Sequence, residues 1–228
     1  MRRLLRDISS VLIISGLLLV IDAGVTLVWQ EPVTAVIGKI QQSQINKRFL
    51  SFSTTPLSPI DVHALVSLKT QEKRISYLAR RELHQITTGA AVGRIEISKI
   101  GASFDIVQGT DAISLEKGPG HYPSTALPGL GQTVAIAGHR TTYLAPFRHI
   151  DALTPGDRIL VKMPYADFTY TVQYHRIVVP TALWVTKNVG YDRLVLSACN
   201  PLYSAAQRII VFAKLSNVVP LAAARATA

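Results

Sequence analysis

Cysteine is almost absent from this sequence, since Cys199 is the single one among 228 residues. One thiol cannot form an intramolecular disulfide or supply the ligands of a multi-cysteine metal site. Acidic residues are also scarce, 14 against 24 lysines and arginines, which gives a formal net charge of +10. Such a balance suits anionic surroundings such as lipid headgroups, nucleic acid or acidic cell-wall polymers. Because no basic block is interleaved with aromatic residues, we expect no nucleic-acid partner.

Long apolar runs are scarce, and the run that is long enough to span a membrane lies near the N-terminus. From Ile8 to Trp29 the sequence carries thirteen Leu, Ile or Val residues. At about 1.5 Å per residue, a helix of this length crosses a hydrocarbon core of about 30 Å. Asp22 interrupts the run at a cost of about 2.5–3.5 kcal/mol, which the aliphatic residues together offset. We therefore predict a basic tip and membrane anchor over 1–30, with 8–29 in contact with lipid.

The flanking charges predict the orientation of this segment. Arg2, Arg3 and Arg6 precede it, and the positive-inside tendency keeps them cytoplasmic and places the rest of the chain outside. Two alternatives remain open: a cleaved signal peptide with a poor cleavage site at 21–23, and a buried core helix. An anchor gives a single-pass membrane protein and a cleaved signal peptide gives an exported one. In both cases the domain that follows is extracellular.

Residues 31–58 are polar and then rich in Ser, Thr and Pro, so we predict a stalk. Ser58 can cap a helix, with Pro59 at its first position and Asp61 three residues after the cap. Leucines and isoleucines then recur at helical spacing, which predicts one amphipathic helix within 59–89.

From residue 90 the apolar period changes to two, and Gly, Pro and Asp turns separate short segments rich in Val, Ile and Tyr. Many short strands with few helices indicate a closed barrel or a sandwich. We assign this β domain to 90–216, with a long Gly- and Pro-rich loop at 114–131 and a tail at 217–228. The predicted strands are 93–100, 102–109, 132–139, 157–164, 168–179, 193–199 and 208–215.

Three reactive side chains lie at strand ends. His139 follows the apolar strand "VAIAG", Cys199 follows "RLVLSA", and Arg208 opens "RIIVFAKL". Strand ends are where rigid scaffolds present functional groups. A thiol needs a neighbouring base or cation to become a nucleophile, and a guanidinium can stabilise an oxyanion. Taken singly, each residue is as well explained by packing or solvation; together they suggest a nucleophilic site.

Three stretches resemble the sortases, and their loops are most similar to class E of actinobacterial type. They are "GTDAISLEKGPGHYPSTALPG", "VAIAGHRTTYLAPFRHIDALTPGD" and "LVLSACNPLYSAAQRIIVFA". The resemblance covers about 90–216 and implies a mainly β, closed eight-stranded barrel with short helices, preceded by the anchor and the amphipathic helix. Matched by motif, His139, Cys199 and Arg208 would be catalytic.

The family implies transpeptidation: Cys199 would attack the Thr–Gly bond of an LPxTG- or LAxTG-like signal and form a thioacyl intermediate. The implied partners are surface proteins with C-terminal sorting signals and an amine from a cell-wall precursor or a pilin lysine. No cofactor is implied, and no acidic cluster is present to bind calcium. Residues expected at the substrate cleft are His121, Tyr122, Ser197, Ala198 and Asn200; a structural role for His121 remains open.

One departure from the family pattern concerns the residue before the cysteine, where Ala198 replaces a frequent threonine. A substrate hydrogen bond from that hydroxyl would have to come from Ser197 or a main-chain N–H. The missing hydroxyl also supports an alternative, a catalytically silent surface-binding module. An L,D-transpeptidase is a second alternative, but its His and Gly before the cysteine are replaced here by Ser197 and Ala198. A hydrolase acting without an acceptor amine is a milder variant.

Overall fold

The computed structural model of the chain describes residues 2–28, 32–54 and 57–221. Within these ranges the chain forms five α-helices and eight β-strands, joined by short 3₁₀ turns. The helices are α1 (Arg2–Val28), α2 (Pro32–Thr54), α3 (Pro59–Ser67), α4 (Gln71–Gln85) and α5 (Ala112–Lys117). The strands are β1 (Ala91–Ile97), β2 (Ala102–Gln108), β3 (Gly120–His121), β4 (Thr133–Ala137), β5 (Arg158–Lys162), β6 (Ala166–Val178), β7 (Arg193–Asn200) and β8 (Gln207–Pro220).

The eight strands close into one barrel in the order β1-β2-β3-β4-β7-β8-β6-β5, and β1 pairs with β5 to complete the ring. The pairs β2–β3 and β4–β7 are parallel, and the other neighbours are antiparallel. The predicted closed eight-stranded barrel with short helices is confirmed.

One barrel strand has no counterpart among the predicted strands. Strand β3 is two residues long and lies inside the segment predicted to be a loop. Two residues carry no alternation that a pattern could detect. Helix α5 precedes this strand in the same segment, and the Asp111 side chain caps it by accepting from the Ser114 N–H.

The amphipathic segment at 59–89 forms two helices instead of the one predicted. The Ser58 cap is as expected, because its side chain accepts a hydrogen bond from the Asp61 N–H. Helix α3 ends at Leu68 in an extended conformation, and Thr70 caps α4. Ile75 and Leu78 of α4 pack into the main core cluster.

The segment predicted as a stalk is largely the helix α2. Ala35, Gly38, Gln42 and Ile45 recur at helical spacing along α2, and Gln42 is tied to the barrel. The Gln42 amide donates to the Asp105 and Lys117 carbonyls and its oxygen accepts from the Asp105 N–H, at 2.7 to 3.0 Å. A polar helix with small apolar residues is stabilised here by docking, which composition did not reveal.

Helix α1 contains a 23-residue segment, Arg3–Val25, that is long and apolar enough to cross a membrane. Its side chains from residue 3 to residue 25 are exposed. At the other end, β8 runs to Pro220 and so includes the first four residues of the predicted tail. Parts of the predicted anchor, stalk and tail, namely 29–31, 55–56 and 222–228, lie outside the described residues. The division into domains stays a prediction.

Candidate active site

Strand β7 separates its side chains between two faces. Leu194, Leu196 and Ala198 belong to the main core cluster inside the barrel. Val195 belongs instead to a second, small cluster on the outer face. Because successive side chains of a strand point to opposite faces, Cys199 lies on the outer face with Val195. The thiol is partly exposed and forms no disulfide.

The two neighbouring strands show the same alternation. In β4, Val134 and Ile136 pack inside, whereas Ala135 belongs to the outer cluster. In β8, Ile209 packs inside and Ile210 belongs to the outer cluster. Continuing each alternation assigns His139 and Arg208 to the outer face as well.

The pairing of β4, β7 and β8 fixes where the three residues lie relative to one another. Cys199 is the direct antiparallel partner of Arg208. In the parallel β4–β7 ladder Ala137 pairs with Ser197, and the Gly138 N–H donates to the Ser197 carbonyl at 3.0 Å. His139 and Cys199 each lie two residues beyond that pair. Cys199 and Arg208 are therefore cross-strand partners on the outer face, and His139 follows the end of β4 on the neighbouring side of β7.

A close approach explains the glycine before the histidine. A Cβ on Gly138 would lie 2.5 Å from the Phe147 ring, so a side chain here would displace a fully buried aromatic. The loop after His139 also contains three consecutive residues with left-handed backbone, Tyr143, Leu144 and Ala145. These features hold the loop in one specific path beside β7.

The His139 imidazole is half-buried and lies 5.4 Å from the Tyr143 ring, centroid to centroid. Burial lowers the pKa of His139 from its ordinary value, and the nearby Glu116 carboxylate partly opposes that shift. The Tyr143 hydroxyl donates to Glu116 at 3.1 Å, and the Tyr143 N–H donates to Thr34 of α2 at 3.0 Å.

Arg208 is half-buried, and its guanidinium contacts its own loop. Nη1 donates to the Ala205 and Gln207 carbonyls at 3.0 and 2.9 Å. Asn200, expected at the cleft, pairs with Gln207, and its Oδ1 accepts from Arg140 at 3.3 Å. Asn200 is the last residue of β7 and Arg208 is the second residue of β8. Asn200 also takes part in the local hydrogen-bond network.

His121 is placed differently from the expectation of a cleft residue. Its side chain is 1% exposed, with Nδ1 2.7 Å from the Gln108 oxygen and Nε2 2.9 Å from the Ala126 carbonyl oxygen. This enclosure leaves no exposed ring face for a peptide and favours the structural alternative. Tyr122 is partly buried and packs against the outer cluster that flanks Cys199.

The structure also separates Ser197 from Ala198. Ala198 is 2% exposed and packs inside the barrel, opposite to the thiol. A threonine hydroxyl at this position would face the interior, so its absence does not remove a group from the outer face. Ser197 lies on the same face as Cys199 and is largely buried.

Sequence reasoning missed three residues that surround the site: Arg140, Glu116 and Tyr143. Arg140 directly follows His139 and contacts the end of β7 through the Cys199 carbonyl. Glu116 comes from α5, far away in sequence. A buried arginine or a single carboxylate gives no distinctive pattern, although the adjacency of Arg140 to His139 was a usable signal.

Metal ligation has little support in this geometry. Among residues 2–28, 32–54 and 57–221, no group of three or more His, Cys, Asp or Glu side chains comes together to hold an ion.

Comparison with known proteins identifies relatives of the barrel. A family model described as a sortase domain matches residues 95–216, more than half of the chain. Sortase D of Bacillus subtilis is 36% identical over 132 residues, covering 56% of this chain and 65% of that protein. SrtE1 of Streptomyces coelicolor is 28% identical over 148 residues, covering 58% of this chain and 42% of that protein. The chain thus spans less than two thirds of the length of both curated relatives.

A solved structure gives the same relationship in three dimensions. Sortase E1 from Streptomyces coelicolor, with a tripeptide in its active site, superposes with a TM-score of 0.56 at 27% identity. The match covers 58% of this chain and 91% of that chain. The expected similarity to class E is confirmed by these relatives.

Proposed function

The chain belongs to the sortase family, and from this membership and the shared outer face of His139, Cys199 and Arg208 we propose that it is a membrane-anchored cysteine transpeptidase. It cleaves an LPxTG- or LAxTG-like sorting signal between Thr and Gly and joins the released protein to an amine. The observation that carries the proposal is the register: Cys199 is paired with Arg208, and His139 and Cys199 each lie two residues beyond the last β4–β7 pair, Ala137 with Ser197.

The proposed reaction has two halves. The Cys199 sulfur attacks the Thr carbonyl carbon, the bond to the Gly nitrogen breaks, and His139 gives its proton to the leaving amine. An acceptor amine then attacks the thioacyl carbon, His139 takes its proton, and the thiolate leaves. Arg208 stabilises the oxyanion in both halves, a contribution of about 2–4 kcal/mol by comparison with other oxyanion donors.

The lowered pKa of His139 fits a role as the base that takes the proton of the thiol. Because its pKa is lowered, His139 is largely neutral at pH 7 in isolation and acquires its proton from the thiol during the attack.

The direct test uses the full chain in detergent micelles with quenched fluorescent LAxTG and LPxTG peptides. We expect cleavage by the wild type, a thioacyl adduct on Cys199 by mass spectrometry, and loss of both in Cys199→Ala. Arg158→Gln is a matched surface control, since this exposed arginine lies on β5, across the barrel. Full cleavage by Cys199→Ala would exclude the mechanism.

The silent binding module is the competing outcome of the same experiment. It predicts that wild type cleaves no peptide across a panel and that Cys199 reacts slowly with methanethiosulfonate. The interior position of Ala198 weakens the main argument for that module, because the missing threonine hydroxyl would have faced the core.

Arg208 can be tested separately from the thiol. In Arg208→Lys we expect most of the cleavage activity to be lost, because an ammonium lacks the planar fork of a guanidinium. Retained activity would assign Arg208 to packing of its own loop.

We propose partners of two kinds: surface proteins with C-terminal sorting signals, and a cell-wall precursor amine or pilin lysine as acceptor. Adding diaminopimelate-type or glycine-type amines should divert the thioacyl intermediate from hydrolysis to the matching amide, read by mass spectrometry. An enzyme that yields only the hydrolysed acid with every amine would be a hydrolase.

The single cysteine also tests the proposed topology, with α1 in the membrane and the barrel outside the cell. A membrane-impermeant maleimide should label Cys199 in intact cells that express the full chain. Cys199→Ala is the matched control and should remain unlabelled. Labelling only after lysis would place the barrel in the cytoplasm.

A further inference from the structure

Arg140 is a buried arginine whose guanidinium joins two segments of the active site. Its exposed fraction is 5%. Nη1 lies 3.4 Å from the Cys199 carbonyl oxygen and 3.3 Å from Asn200 Oδ1, at the end of β7. Nε donates to the Arg148 carbonyl at 3.2 Å, and Nη2 forms an ion pair with Asp151 at 2.9 Å. The residue thus connects β7 to the loop that starts at His139.

A buried guanidinium is retained only where its donors find acceptors, because an unpaired buried charge costs several kcal/mol. The planar fork of Arg140 satisfies this condition with four acceptors from three places in the chain. A second arginine joins the same two segments, since Arg148 donates to the Tyr203 hydroxyl at 2.9 Å. The end of β7 is therefore attached to the His139 loop by side chains as well as by the ladder.

We propose that Arg140 is a positioning residue that fixes the Cys199 end of β7 against the loop that carries His139. It contacts the main-chain oxygen of Cys199, so it acts through the backbone and not on the thiol or the peptide. Proton transfer between imidazole and sulfur depends steeply on their separation, and a misplacement of about 1 Å can cost about 100-fold in rate. This proposal rests on the proposed function for its kinetic readout.

A merely structural role predicts a different pattern. If Arg140 only stabilised the fold, substitution would lower the melting temperature and the amount of folded protein, with normal kcat per folded molecule. If it positions the pair, kcat falls in molecules that are folded, KM changes little, and the pH dependence of Cys199 reactivity changes as well.

The experiment compares Arg140→Lys and Arg140→Gln with the wild type, using the full chain in detergent micelles. Arg158→Gln is the control for loss of an arginine. We measure kcat and KM on the sorting peptide, thermal unfolding, and the rate of Cys199 alkylation by iodoacetamide from pH 5 to pH 9. For Arg140→Lys we expect kcat to fall about 10- to 100-fold and KM to stay within about threefold. Arg140→Gln should lose at least as much.

The alkylation profile keeps the two proposals separable. In the wild type, a plot of the Cys199 alkylation rate against pH should contain a rising limb that reflects the His139 imidazole. In the Arg140 variants the alkylation rate should depend less on the protonation state of His139, so that limb should weaken. If the wild type cleaves no peptide, the proposed function fails while alkylation still decides the role of Arg140.

A milder variant covers the case in which the Arg140 substitutions do not fold. Asp151→Asn removes the exposed carboxylate of the ion pair and leaves the arginine in place. We expect about a threefold fall in kcat at unchanged KM, because the guanidinium loses one of its four anchors. Wild-type kcat and alkylation profiles in a folded Arg140→Lys, or in Asp151→Asn where the former is unfolded, would overturn the proposal.

Discussion

Two neighbouring segments of the barrel carry buried histidines and place them in opposite settings. Strands β3 and β4 are antiparallel partners, with His121 at the end of one and His139 two residues after the other. Burial lowers the pKa of both imidazoles, to about 4 for His121. His121 is enclosed by Gln108, Thr125 and Ala126, whereas His139 is half-exposed on the face of Cys199. Two imidazoles of the same barrel thus differ in exposure and in neighbours, which is the basis for proposing a structural role for His121 and a catalytic one for His139.

The largest effect on peptide cleavage should appear when the half-exposed imidazole of His139 is removed. His139→Ala should lower kcat/KM for the sorting peptide by about 10²- to 10⁴-fold, because the general acid and base is removed. The melting temperature should stay within a few degrees of wild type, since the ring is only half-buried. Peptide cleavage and thermal unfolding measure the two effects. Near-normal cleavage by His139→Ala would exclude a catalytic role for His139 and would leave no functional difference between the two histidines.

The enclosed ring should instead contribute to the pH dependence of stability. His121 has a pKa of about 4 in the folded protein against about 6.5 when unfolded, so the unfolded chain binds the extra proton between these values. The His121 contribution is therefore fully present above about pH 6.5 and is lost as pH falls towards 4, by up to about 1.4 kcal/mol per pH unit. Glu82, whose pKa burial raises to about 7, contributes with the opposite sign over part of this range. Urea unfolding of the wild type and of His121→Ala at several pH values isolates the His121 contribution: the difference in unfolding free energy between the two should shrink as pH falls from about 6.5 to about 4.

Deleting the enclosed ring should cost stability at neutral pH and leave the chemistry alone. His121→Ala leaves the buried Gln108 amide without its partner and opens a cavity, which together cost about 1–3 kcal/mol or somewhat more. Cleavage per folded molecule should remain within a few-fold of wild type. His175→Ala is the matched control, because this exposed strand histidine should change stability by less than about 0.5 kcal/mol. A large fall in the cleavage rate of folded His121→Ala would instead support a role for His121 in substrate binding.

The smallest effect concerns the carboxylate near the reactive ring. Glu116 raises the pKa of His139 against the larger effect of burial. In Glu116→Gln the pKa of His139 should fall further, so the acid limb of the kcat/KM profile should move to lower pH. The pH–rate profile measures this shift, and an equivalent substitution at the exposed Glu72 should leave the limb in place. An acid limb that moves upward would contradict the assigned interaction.

Strand ends were visible in the sequence, but strand register was not. Apolar alternation located Cys199, His139 and Arg208 at the ends of three strands and could not show that they share one face. That required the pairing of Cys199 with Arg208 and the parallel ladder between β4 and β7. Their catalytic roles remain predictions, supported by this arrangement.

Two polar side chains lie where the sequence did not indicate. Residues 31–58 are predicted as a stalk because they are polar and then rich in Ser, Thr and Pro, yet Gln42 of α2 bonds to the barrel backbone. His121 was placed at the cleft by loop motif, although its partners come from β2 and the loop that follows it. Gln42 is satisfied by atoms more than 60 residues away, whereas His121 is enclosed by residues within 13 positions whose folded path the loop motif did not reveal.

The sequence by itself determined the apolar N-terminal helix, the run of short strands and the placement of Cys199, His139 and Arg208 at or near strand ends. These features follow from local spacing, hydrophobicity and turn residues, which act over a few positions. Tertiary structure alone decided the barrel's closure, the docking of α2 and the burial of Arg140 beside the end of β7. Each of these depends on hydrogen-bond partners and packing surfaces supplied by remote parts of the chain, and no local pattern encodes where those parts will meet.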